Sequence, residues 1–153
     1  MSRVVASFFG VGFWPVAPGT AGSVVAVLIG AGLMQGPMWL LPACAAATAI
    51  AGYFAILRAV NDPNADPGWV VIDEVTGQWI ALLGLGVASP FGLIAAFAVF
   101  RLLDIWKPGP IGWADRQSGA FGIMTDDILA GTGTALALLA VRHALGGLLG
   151  WTT

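Results

Sequence analysis

Long apolar runs broken by short polar islands make up most of the chain. Their spacing predicts five membrane-embedded helices, over residues 21–35, 38–60, 70–87, 91–106 and 125–149. Several fall short of the ~20 residues that a straight span needs, which implies tilt, local thinning or re-entry. Gly36-Pro37 and Ser89-Pro90 read as tight turns at one end of the helices, and the longer linkers 61–69 and 107–124 read as lying at the other. The expected fold is all-α: a polytopic helical membrane protein forming a single domain over residues 1–153. Arg3 followed by the apolar stretch from Val4 to Trp14 has the outline of a signal sequence. Pro15 and Pro18 interrupt it before a convincing cleavage site, so it is read as retained.

Within the second segment Ala43, Ala47, Ala51, Ala55 and Ala59 recur at i, i+4, a smooth stripe suited to close helix approach where lipid supplies no hydrophobic drive. The last segment offers Gly133, Ala137 and Ala140 on a comparable face, and Gly146 with Gly150 is a weak GxxxG match. Trp14, Trp39, Trp69, Trp106, Trp113 and Trp151 sit at predicted segment ends, as interfacial aromatics do. The single cysteine, Cys44, lies in an Ala-rich run. It rules out an intrachain disulfide and a thiol metal cluster and reads as a packing residue.

Composition strengthens the membrane reading. Only 9% of residues are charged and 58% are hydrophobic, with a mean hydropathy of +0.89, whereas soluble domains carry about 25% charged residues. The net charge is −2, with no Lys/Arg run or basic-aromatic strip, which argues against a nucleic-acid partner. Arg3, Arg58, Arg101, Lys107 and Arg116 fall at the long-linker end and Arg142 near the opposite one, so the positive-inside rule makes the long-linker end cytoplasmic. All eight acidic residues lie between Asp62 and Asp127 at that same end. Charge beside lipid is expensive and marks a site, which is therefore expected to face the cytoplasm.

Three acidic islands carry the candidate chemistry. In the first, Asp73-Glu74 precedes Gly77 and Gln78. Glu74 and Gln78 are i, i+4 neighbours with space cleared beside them, although two acids in a first helical turn also suit the macrodipole. The second is Arg101-x-x-Asp104-x-x-Lys107. Asp104 sits near a helix C-terminus, where the macrodipole disfavours an anion, so it needs a cation or a metal; an i, i+3 ion-pair ladder on one helix face is the weaker alternative to a functional role. In the third, Thr125 reads as an N-cap before Asp126-Asp127. These two acids point about 100° apart, so one can bind an ion while the other orients a water or a second ion. The carboxylates form an oxygen-only ligand set, suited to Mg²⁺ or Mn²⁺ rather than zinc, and the only histidine, His143, lies at the far end. The loop from Pro15 to Ser23 opens into the first helix, with Thr20 and Ser23 at its start. It is either an ordinary cap or an anion cradle that, with Arg101, Lys107 or Arg116, would hold a phosphate ester against a divalent ion.

Four blocks then resemble the bacterial phosphatidylglycerophosphatase A family. They are Ala17-Pro18-Gly19-Thr20-x-Gly22-Ser23, Asp73-Glu74-x-x-Gly77-x-Trp79-Ile80, Phe100-Arg101-x-x-Asp104-x-Trp106-Lys107-Pro108-x-Pro110-Ile111 and Gly122-Ile123-Met124-x-Asp126-Asp127-Ile128-x-Ala130-Gly131. They occur in order from Pro15 to Gly131. The resemblance implies an all-helical, Mg²⁺-dependent phosphatase of the bacterial inner membrane that converts phosphatidylglycerol phosphate into phosphatidylglycerol and inorganic phosphate. Gly109, and Ser118-Gly119-Ala120 in place of a more glycine-rich run, depart from the family pattern and leave the charged residues intact.

On this reading Glu74, Asp104, Asp126 and Asp127 hold the metal, Asp73 or Asp127 takes the proton, and Thr20, Ser23, Arg101, Lys107 and Arg116 meet the phosphate. There is no DxD pair of an aspartyl-phosphate enzyme and no set of catalytic histidines, which favours metal-activated water; covalent attack by an aspartate stays open. The competing classes are a small membrane cation transporter with a cytoplasmic carboxylate site and a headgroup transferase. The first lacks an acidic relay across the bilayer, and the second lacks its D-G-x-x-A-R block.

Overall fold

The computed structural model describes residues 1–62 and 65–149. Among these residues there are seven α-helices and no strand: α1 (Ser2–Ala6), α2 (Pro18–Leu33), α3 (Leu40–Ala59), α4 (Ile72–Leu82), α5 (Pro90–Trp106), α6 (Pro110–Asp115) and α7 (Gly119–Leu149), with a 3-10 turn at Val11–Phe13. By length and composition α3 and the stretch Gly119–Leu145 of α7 suffice to cross a membrane, and α2 is apolar but shorter.

The stretch read as a third span contains only the 11-residue α4, about 16 Å long at 1.5 Å per residue and roughly half the hydrocarbon thickness. Nine of its eleven residues are buried, Asp73 and Gln78 included, so this is an internal helix rather than a lipid-facing one. It packs against α2, α3, α5 and α7, and small residues on its neighbours make that possible. A Cβ at Gly22 of α2 would stand 2.9 Å from Val71 Cβ, and one at Gly52 of α3 would stand 3.0 Å from Ile72 Cγ1. Gly77 itself meets α7 and α5, where a Cβ would lie 2.5 Å from the Asp127 carbonyl oxygen and 2.6 Å from Phe100 Cε2. The Trp79 indole N–H donates to the Ala26 carbonyl at 2.9 Å and fixes α4 on α2.

Helix ends differ from the sequence reading in informative places. Ser89 Oγ accepts from the Gly92 amide at 3.1 Å and starts α5. α7 begins at Gly119 (φ +72), not at Thr125, which lies inside the helix and caps nothing. Of the glycines that suggested a loop there, Gly122 is required by packing, since a Cβ would collide with the Gln117 carbonyl, whereas Gly119 has open space beside it and is favoured by its positive φ. α1 and α6 were not foreseen.

The alanine stripe of α3 largely faces outward. Ala43, Ala47 and Ala51 are exposed, and Ala45, Gly52 and Ala55 make the packed face. Likewise α7 packs through Gly131, where a Cβ would collide with the Gly77 carbonyl, while Ala137 and Ala140 are exposed. Gly150 and Trp151 lie outside the described residues, as do residues 63 and 64 of the first long linker. Trp14, Trp39, Trp106 and Trp113 are exposed; Trp69 takes Arg3 over its ring at 4.9 Å and stacks on Phe13. The turns around Gly36 and Gly86 share one end of the bundle, where Gly86 packs on the Arg142 guanidinium. Residues 65–70 and 107–119 converge on the other end.

Candidate functional site

At the long-linker end the first turn of α4 meets α7. The Val71 amide donates to the Ala6 carbonyl at 3.0 Å, which ties the entry of α4 to α1. Asp73 and Glu74 follow at once, with Asp73 Oδ1 accepting the Glu74 amide at 3.0 Å. Because Gly77 lets α7 approach closely, Asp127 comes to face both: carboxylate oxygens of Asp73, Glu74 and Asp127 lie within 4.8 Å of one another. Asp73 and Asp127 are 7% and 3% exposed, and Glu74 Oε2 and Asp127 Oδ1 are buried without a hydrogen-bond partner. At such separations each ionised pair repels by on the order of 3 kcal/mol at an effective dielectric of 20. The first turn of α4, which carries Asp73 and Glu74, offsets part of this through its dipole. Oxygen-only, clustered, and with Glu74 Oε2 and Asp127 Oδ1 orphaned, these groups fit a hard divalent cation.

Two cations surround the cluster. Arg101 Nη1 pairs with Asp104 Oδ2 at 2.5 Å. Lys107 ends α5 in the left-handed region (φ +50), and its ammonium binds both Asp115 and, at 2.8 Å, Asp126 Oδ2. Burial pulls the Lys107 pKa down, but the hydrogen bonds it donates to Asp115 and Asp126 outweigh it and hold the group above its ordinary value, so it stays charged. Asp126 also accepts the Asp127 amide at 3.0 Å, which orients the neighbouring carboxylate. Apart from Arg101, these side chains line a cavity of about 270 Å³ that also takes in Asp66, Arg116 and Ser118.

Of the residues singled out in the sequence, Asp73, Glu74, Asp104, Lys107, Arg116, Asp126 and Asp127 therefore share one cavity. The structure groups Asp73 rather than Asp104 or Asp126 with the metal-capable oxygens, because Asp104 and Asp126 already hold Arg101 and Lys107. Thr20, Ser23 and Arg101 do not line the cavity. Ser23 is buried with its hydroxyl donating to the Gly19 carbonyl at 2.9 Å. Thr20 stands in an apolar groove, and Ala17 rather than Thr20 is the N-cap residue of α2. What brings α2 to the site is Gly19: a Cβ there would collide with the Glu74 carboxylate and lie 3.5 Å from Arg101 Nη1. Asp66 and Asp115 were not picked out from the sequence, since Asp115 reaches Lys107 only through α6. Gln78 lies one turn beyond Glu74, fully buried and with neither amide atom partnered. His143 is exposed on the distal part of α7.

The family model for phosphatidylglycerophosphatase A matches residues 4–142. The chain is 38% identical over 144 residues to the Escherichia coli (strain K12) phosphatidylglycerophosphatase A, covering 92% of this chain and 83% of that protein. Identity to the Haemophilus influenzae phosphatidylglycerophosphatase A is 33% over 144 residues, covering 92% and 88%. A Bacteroides thetaiotaomicron protein provisionally named a phosphatidylinositol-3-phosphatase is 34% identical over 150 residues, 94% of each chain. No solved structure matches.

Proposed function

Because the chain belongs to the phosphatidylglycerophosphatase A family of phosphatases, we propose that it hydrolyses the terminal phosphomonoester of phosphatidylglycerol phosphate, giving phosphatidylglycerol and inorganic phosphate. The observation that carries this reading is the carboxylate cluster, with one oxygen each of Glu74 and Asp127 buried and unpartnered, opening into a cavity that also holds Lys107 and Arg116. Asp73, Glu74 and Asp127 would hold Mg²⁺ or Mn²⁺. Such an ion, when bound, neutralises phosphoryl oxygens and polarises the phosphorus centre.

The chain's own groups do the rest. Lys107 and Arg116 attract the phosphate dianion, with Asp115 and Asp126 holding the Lys107 ammonium in place. Arg101, fixed by Asp104, presents its guanidinium beside the N-terminus of α2. As water bonds to phosphorus, its proton passes to whichever oxygen of Asp73 or Asp127 is not holding the ion, the ester P–O bond breaks, and the departing glycerol oxygen takes a proton from solvent at the cavity mouth. Two helices long and apolar enough to cross a bilayer, in a family acting on a lipid, make this a membrane protein. We place it in the bacterial inner membrane with the cavity toward the cytoplasm, on the strength of its cationic asymmetry. A cation-transport role draws no support from the family.

Phosphate release from phosphatidylglycerol phosphate, phosphatidic acid and a phosphatidylinositol phosphate, with purified protein in nanodiscs with and without chelator, tests the reading. Release that requires Mg²⁺ or Mn²⁺ and favours phosphatidylglycerol phosphate is the expected result. Equal or faster release from either other lipid sinks the headgroup assignment, and indifference to chelation sinks the metal.

A further inference from the structure

The glycerol oxygen that leaves phosphorus departs as an alkoxide, a poor leaving group unless a proton reaches it as the bond breaks. In phosphoryl transfer the attacking and leaving oxygens lie roughly in line on opposite sides of phosphorus, and here the two sides of the cavity differ. Asp73 and Asp127 are buried at its floor, whereas Asp66, Asp115, Arg116 and Ser118 line it and are exposed, so they form its rim. A cavity of about 270 Å³ takes a phosphate group but not the diacylglycerol body behind it. With water attacking from the floor, the leaving oxygen therefore faces the rim.

The rim groups differ in what they can give. Arg116 keeps its protons, a serine hydroxyl is a far weaker acid than a carboxyl, and Asp115 is engaged with the Lys107 ammonium. Asp104 and Asp126 are likewise committed, to Arg101 and Lys107. Among the described residues the Asp66 carboxyl makes no ion pair or hydrogen bond. Its segment is nonetheless well anchored. The Val70 amide donates to the Pro67 carbonyl at 2.9 Å, and Trp69 carries Arg3 over its ring at 4.9 Å and stacks on Phe13 at 6.0 Å. A Cβ on Gly12 would collide with the Trp69 carbonyl, so the N-terminal segment holds this stretch tightly against the bundle. Partial burial raises the Asp66 pKa; the Lys107 ammonium opposes that rise, and Asp115 and Asp104 add to it. A phosphate dianion entering the cavity brings a further like charge, so substrate binding itself favours the protonated carboxyl.

We propose that Asp66 is the general acid of the reaction, relaying the solvent proton to the leaving group at the cavity rim. As the ester P–O bond breaks, its electron pair goes to the glycerol oxygen, which takes the proton from the Asp66 carboxyl; the resulting carboxylate recovers a proton from solvent, to which it is exposed. The proposal rests on the phosphatase reading.

The test compares phosphatidylglycerol phosphate with its analogue carrying sulfur in place of the bridging ester oxygen, using the full chain in nanodiscs with Mg²⁺. A thiolate leaves without needing a proton, so the sulfur ester removes the demand for an acid and little else. Asp66→Asn should lower kcat on the oxygen ester by roughly 10²–10⁴-fold. KM should not rise, because the change removes a negative charge that faces a dianion. On the sulfur ester most of that loss should disappear, and Asp66→Glu, which keeps an acidic proton, should recover part of the oxygen-ester rate. Mg²⁺ affinity by isothermal titration should match the wild type in both variants, which also reports that the site is folded. Undiminished turnover of the oxygen ester by Asp66→Asn overturns the proposal, as does a variant that gains nothing from the sulfur ester. Loss of Mg²⁺ binding in Asp66→Asn would make the residue a metal ligand and overturn it as well. A wild-type chain inert on both esters refutes the phosphatase reading and the proposal with it, whereas an active wild type with equal losses on the two esters refutes the general acid alone.

Discussion

At the scale of single residues, the carboxylates separate into those that balance cations and those left without partners. Asp104 and Asp126 belong to the first kind, and Asp127 and Glu74 each have an oxygen buried with nothing to accept from. Asp127→Asn should therefore abolish Mg²⁺ binding and lower turnover by orders of magnitude, whereas Asp104→Asn should retain Mg²⁺ binding by isothermal titration; equal loss of metal in both would show that Asp104 is a ligand. Lys107→Ala removes a charge-assisted contact worth roughly 1.5–3 kcal/mol. It should weaken inhibition by vanadate more than it weakens Mg²⁺ binding. The raised Lys107 pKa also fixes a sign: its ion pairs contribute fully below the unfolded lysine value of about 10.4 and are lost as pH rises through the higher folded value. Thermal unfolding of wild type should therefore lose this contribution only at strongly alkaline pH, and Lys107→Ala should remove that alkaline step. The sequence made the charged residues legible because charge is scarce in so apolar a chain. It could not say which acids were neutralised, because the Lys107–Asp126 pairing spans 19 positions and depends on how α5 and α7 meet.

Among the elements, α4 shows how glycine placement decides the architecture. A methyl at Gly77 has no room against Asp127 and Phe100, whereas Gly32 near the end of α2 has no atom within 4 Å of its missing Cβ. Overpacking typically costs 1–3 kcal/mol, so Gly77→Ala should lower thermal stability by about 2 kcal/mol and reduce activity by moving Asp127 away from Asp73 and Glu74. Gly32→Ala should be neutral or stabilising by roughly 0.5–1 kcal/mol through helix propensity. Denaturation monitored by circular dichroism in detergent compares the two; a harmless Gly77→Ala would mean that α4 and α7 do not cross so closely. Helix existence was readable from the apolar runs, but the length of α4 was not, because hydropathy cannot separate a helix buried in protein from one facing lipid. The start of α7 was missed for a related reason: the glycines at 119 and 122 are poor helix formers in isolation, and only the positive φ of Gly119 and the packing of Gly122 against Gln117 reveal their purpose.

For the whole molecule, the arrangement is polar along its long axis. The cavity, Arg3 over Trp69, and the Lys107 and Arg116 region gather at one end, while Arg142 packs on Gly86 at the other. That asymmetry was already visible in the sequence as the uneven distribution of cations, since the positive-inside rule needs only loop composition and not tertiary structure. A charged cavity of this kind must open to water, and its substrate must reach it from the leaflet on the same side, so the orientation of the chain decides which leaflet's lipids it can process. Cysteines introduced at Ser118, at the cavity mouth, and at Gly36, at the opposite turn, distinguish the two orientations; both positions are exposed. In intact spheroplasts an impermeant maleimide is expected to label Gly36→Cys promptly and Ser118→Cys only after the membrane is permeabilised. Prompt labelling of Ser118→Cys from outside, with Gly36→Cys protected, would reverse the orientation and place the phosphatase site on the outer leaflet.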